Sequence, residues 1–162
     1  MTATIPHPSA SPRPDPRAAL SSDDRRLLAQ LRVSALRCRA GARMELSRAC
    51  AMVGTRRDLA PEAMLDALLA TLGEALGRSP RFFRPTARAL SFDESWLLRL
   101  IACLRAGDEA SATFLLHSRV SRDVRRSVVH LVARVAAEVE TLTAASAPPD
   151  YRSPPQPQRI AS

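Results

Sequence analysis

The sequence predicts an all-α fold: a compact bundle of five or six helices between disordered, proline-rich N- and C-terminal tails. Three observations carry that expectation. Apolar residues recur at helical spacing from Leu27 to Leu142, most of the five glycines fall where the apolar stripes stop, and prolines gather at the two ends.

The prolines set the limits. Of 13, five fall in residues 1–16 and five in residues 148–157, leaving only Pro61, Pro80 and Pro85 between them. Residues 1–20 offer just Ile5 and Leu20 as large aliphatic side chains, too little apolar surface to offset the entropy of ordering. Residues 148–162 share that composition. The expected organisation is a tail over 1–20, a single helical domain over 21–147 and a tail over 148–162.

A first helix opens at Ser21 or Ser22, with Asp23 and Asp24 in the turn where the helix dipole favours acids. Leu27, Leu28, Leu31, Ala35 and Cys38 share its inner face, and Gly41 ends or bends it. Leu46, Ala49, Cys50 and Val53 mark a second helix closing at Gly54. The third starts at Pro61, runs through Leu65, Leu68, Leu69, Leu72 and Leu76, and stops at Gly77. The fourth begins with the capping box Ser91-Phe92-Asp93-Glu94 and is apolar around most of its circumference from Trp96 to Leu104, which predicts a central, buried helix. A short fifth helix from Asp108 to about Ser118 should turn Ala110, Phe114 and Leu115 inward. Ser121 should cap a long last helix striped by Val124, Val128, Leu131, Val132, Val135, Val139 and Leu142. Valine favours strands, but steps of four and three over this length decide for a helix.

The formal charge of +8 comes entirely from arginine, 24 of them with no lysine. It is concentrated near the start of the domain, where residues 21–60 hold nine Arg against four acids. A basic pole of that kind fits an acidic or phosphate-bearing partner. Three well-separated cysteines, Cys38, Cys50 and Cys103, and an N-terminal segment without the apolar stretch of a secretory signal predict reduced thiols and a cytoplasmic protein. The most apolar stretch, Trp96 to Leu104, is broken by Arg99 and too short to span a bilayer, so no membrane partner is expected.

Signatures of standard catalysis are missing. There is no GxSxG elbow, no phosphate-loop lysine and no glycine-rich dinucleotide loop, so no catalytic residue is assigned. The acid pairs Asp23–Asp24, Asp93–Glu94 and Asp108–Glu109 stand at helix starts, where they cap and compensate the dipole. Cys38, Cys50, Cys103, His117 and His130 show no metal-ligand spacing, and no metal or cofactor is predicted.

Two surfaces remain as candidates. Arg25, Arg32 and Arg39 are seven residues apart, on one side of the first helix opposite the leucines, and Arg56 and Arg57 follow in the next loop. Such a row could track nucleic-acid phosphates. The loop from Arg78 to Arg88 packs four arginines around Phe82 and Phe83, and Arg81, Phe82, Phe83 and Arg84 would anchor a protein partner if exposed. The run Thr86-Ala87-Arg88-Ala89-Leu90-Ser91-Phe92-Asp93-Glu94-Ser95-Trp96-Leu97-Leu98-Arg99-Leu100 resembles a stretch in small uncharacterised helical proteins of GC-rich bacteria, over roughly residues 78–135. That resemblance implies a bacterial cytosolic protein and no activity. The expected function is a non-enzymatic, protein-binding adaptor or regulator. The alternatives are nucleic-acid binding through the basic first helix and a metal- or cofactor-binding helical bundle.

Overall fold

Several helix ends follow local capping chemistry. The structure, a computed structural model, describes residues 19–144 apart from Ala42 and Arg57. The expected tails lie outside the described residues except for residues 19 and 20, and so do residues 145–147. The described residues form seven helices and no strand: α1 Ser22–Ala40, α2 Leu46–Thr55, α3 Pro61–Leu76, α4 Phe92–Ala106, α5 Glu109–His117, α6 Arg125–Ala137 and α7 Val139–Ala144.

The Ser21 hydroxyl accepts from the Asp24 amide at 3.0 Å and starts α1. Pro61 begins α3, where its missing N–H costs nothing. Gly77 and Gly107 end α3 and α4 at φ 64° and 69°, a left-handed conformation that only glycine adopts without strain. At Ser91 both halves of the capping box are present.

Three expectations about the helices need correction. The single last helix is two, parted at Glu138, whose N–H turns back to the Val135 carbonyl three residues away. The apolar steps run through the break unchanged, so Val139 and Leu142 stay buried on both readings. The partners change at the break: α6 packs on α2, α3 and α4, whereas α7 packs on α1 and α3. Ser121 likewise precedes a turn, and α6 starts only at Arg125. In α5 it is Ala112 and Leu116 that face inward, while Phe114 is 74 % exposed.

The third correction concerns the centre. α3 touches α1, α2, α6 and α7, and α6 touches α2, α3, α4 and α7, so these two helices form the middle of the bundle. α4 lies to one side, against α1, α5 and α6. It buries Trp96, Leu97, Leu98, Leu100 and Ile101 but exposes Phe92, Ser95, Arg99 and Ala102 along one stripe. Leucines from α1, α3, α4 and α6, including Leu28, Leu65, Leu97 and Leu131, fill a single continuous core.

Candidate functional site

The first turn of α4 places two acids side by side, and both are buried. Glu94 does more than cap. Its carboxylate accepts from four donors: Arg32 Nε at 2.7 Å, Arg32 Nη2 at 3.0 Å, the Phe83 amide at 2.9 Å and the Ser91 amide at 2.7 Å. Arg32 comes from the middle of α1 and is fully buried, as is Glu94. The remaining donors of its guanidinium reach the carbonyls of Ala87 and Ala89, at 2.6 and 2.7 Å. Burial alone would push the Glu94 pKa up, but Arg32 and the two amides outweigh it and hold the carboxyl below its usual range.

Asp93 is built the same way. It accepts a bidentate pair from Arg78, at 2.7 and 3.1 Å, the Arg81 amide at 2.6 Å, and Arg119 Nη2. Desolvation again raises its pKa; Arg78, the Arg81 amide and Arg119 lower it further, to about 2. The guanidinium of Arg119 is also layered against aromatic rings, 4.8 Å from the Phe92 centroid and 5.0 Å from that of Trp96. Its buried Nη1 has no hydrogen-bond acceptor, and the ring faces take that place.

Together the two carboxylates fix the stretch from Arg78 to Ser91, which has no helix of its own. Arg39 Nη2 donates to the Phe82 carbonyl at 2.6 Å and the Ser91 hydroxyl to that of Arg81 at 2.5 Å. Phe82 plugs into the core, only 5 % exposed. The expected four-residue contact surface is thereby divided. Phe82 belongs to the core, whereas Arg81 and Arg84 are exposed and Phe83 is half-buried, with Arg81 over its ring at 5.1 Å.

The basic row on α1 is also taken apart. Arg32 does not face solvent; at 100° per residue it lies only 40° from Leu28, on the flank of the apolar stripe. Arg25 and Arg39 are exposed, but Arg25 donates to the Leu20 carbonyl at 3.2 Å and Arg39 is committed to Phe82. Arg56 stands 4.0 Å from Asp58, and Arg57 lies outside the described residues.

Sequence reasoning missed the largest exposed rings, Phe92 at 73 % and Phe114 at 74 %. Phe92 was legible: it shares the outward stripe of α4 with the polar Ser95 and Arg99. Arg119 carried no signal, because its partner Asp93 is 26 residues away.

Among the described residues no group of three or more His, Cys, Asp or Glu side chains converges to hold a metal. Cys38, Cys50 and Cys103 are free, half-buried thiols; Cys38 Sγ lies 3.5 Å from the Asp66 carbonyl and Cys50 Sγ 3.6 Å from that of Ser127. Burial, aided by Asp66, pushes the Cys38 thiol up, away from the reactive thiolate. His117 and His130 are exposed. No described helix is long and apolar enough to cross a membrane. No protein-family model, curated protein or solved structure matches the chain.

Proposed function

We propose that this chain is a non-enzymatic, protein-binding adaptor or regulator, and that its contact surface is the outer side of the Arg78–Ser91 loop joined to the first turn of α4. The residues assigned to contact are Arg81, Phe83, Arg84 and Phe92. The observation that carries the reading is the setting of Phe92, an exposed ring held by a half-buried, ion-paired arginine beside a loop pinned at both edges. Exposed aromatic and arginine side chains on a rigid frame are the usual anchors of protein interfaces. A fixed frame also lowers the entropy lost on docking. The free thiols Cys38, Cys50 and Cys103 fit a reducing cytoplasm as the working compartment.

The test is site-specific photo-crosslinking in the native host. A photoreactive residue at position 83 or 92 should trap one protein, and the same probe at exposed Arg126 should not. Phe83→Ala with Phe92→Ala should lose that partner while the helical CD signal is kept. Retention of the partner by this double variant would overturn the assignment.

A further inference from the structure

The proposed contact surface has an unbalanced charge. Apart from the buried Arg32–Glu94 pair, the loop and the first turn of α4 hold Arg78, Arg81, Arg84 and Arg88 against Asp93 alone. Asp93 is 2 % exposed and already shared between Arg78 and Arg119, so its charge does not reach solvent. Arg81, Arg84 and Arg88 are exposed, and none of them has an acidic partner among the described residues. Each ring of the surface carries a cation: Arg81 lies 5.1 Å from the Phe83 centroid and Arg119 4.8 Å from that of Phe92.

We infer that the surface takes an acidic segment of a partner protein that carries an aromatic or large aliphatic anchor. The inference rests on the binding role proposed above and specifies its chemistry. Carboxylates of the segment pair with Arg81, Arg84 and Arg88, and arginine forks suit carboxylates in two-point geometry. The anchor packs on Phe92, the most exposed ring of the surface. Single-stranded nucleic acid is the other polyanion with flat apolar groups. It binds by stacking bases on open ring faces along a basic track. Here Arg81 already covers one face of Phe83 and Arg119 one face of Phe92. The remaining face and edge of each ring suit a side chain better than a run of bases. The row on α1 that would have extended a phosphate track is interrupted at Arg32.

The segment meets a surface that is already organised. The Arg81 and Phe83 amides are held by Asp93 and Glu94, and the Ala87 and Ala89 carbonyls by Arg32. The arginine stems therefore project from fixed backbone positions, and their spacing discriminates among acidic segments.

The experiment is to pan a random-peptide display library on the full chain, then measure selected peptides by fluorescence anisotropy at low and moderate salt. Enriched peptides should hold Asp or Glu beside Phe, Trp or Leu. Affinity should fall about tenfold or more with Phe92→Ala, with Arg84→Glu, or when the peptide acids become amides. Both substituted side chains are exposed, so CD should show both variants folded. The inference is overturned if the enriched peptides lack acids, if they bind both variants as well as the original chain, or if only oligothymidylate binds this surface. A partner crosslinked at position 92 through a segment without acids would overturn the chemistry and leave the binding role standing. No crosslink at either position would remove the role itself.

Discussion

Arg32 and Glu94 bury opposite charges completely, and each also satisfies backbone groups of the loop. Removing one member strands the other in the core, a loss of about 3–5 kcal/mol for such pairs. Arg32→Met should therefore cost stability on that scale in urea unfolding, far more than Arg25→Met on the same helix. Asp93 adds a pH dependence. Its folded pKa, about 2, lies below its usual 3.8, so its contribution is present above the usual value and is lost as pH falls toward the folded one. The difference corresponds to about 2 kcal/mol at neutral pH. Unfolding free energies measured between pH 5 and about pH 2 should show that fall, and Asp93→Asn should flatten it. Helical spacing sets Arg32 beside the apolar stripe, 40° from Leu28, but could not show the acid that draws it inside, because Glu94 is 62 residues away.

The legible elements were those whose ends carry stereochemistry. Pro61, the Ser91–Glu94 box, Gly77 and Gly107 each impose a local conformation that no distant contact has to supply. The α6–α7 break is the opposite case, set by a change of packing partner while the apolar spacing continues through it. Phe114 was misplaced because a nine-residue helix gives too few turns to fix its inner face. Gly73, inside α3, supports a prediction at this scale. It borders a groove of about 770 Å³ between α1, α3 and the loop. A methyl group there would meet only the Arg78 carbonyl and Pro80 Cδ, both at 3.8 Å, an ordinary contact. Gly73→Ala should raise the thermal midpoint, gaining up to about 1 kcal/mol of helix propensity. At Gly77 the same change meets a φ of 64° and should lower it.

Across the whole molecule, integration is uneven. α3 and α6 each pack against four other helices, whereas α5 packs chiefly on α4, with Trp96 Nε1 donating to the Leu115 carbonyl at 3.0 Å. Elements with few buried contacts open at lower free energy than the core. Native-state hydrogen exchange should show the α5 amides, Glu109–His117, exchanging well before the middle of α3. If α5 instead exchanges only with global unfolding, the bundle opens as one unit. The all-helical class followed from composition and periodicity, which are properties of whole stretches. The candidate surface did not follow, since it depends on which arginines are consumed by buried acids, and that is decided by tertiary pairing.

The loop is gripped by its main chain. Asp93 and Glu94 take the amides of Arg81 and Phe83, and Arg32 takes the carbonyls of Ala87 and Ala89, groups that nearly every amino acid supplies. Shape and the proposed recognition are thus carried by different groups, main chain for the one and outward side chains for the other. The outward side chains at 81, 84 and 88 can be randomised in the laboratory while the main-chain hydrogen bonds that present them are kept. On the proposed binding role, such a scaffold changes partners by a few surface substitutions without refolding.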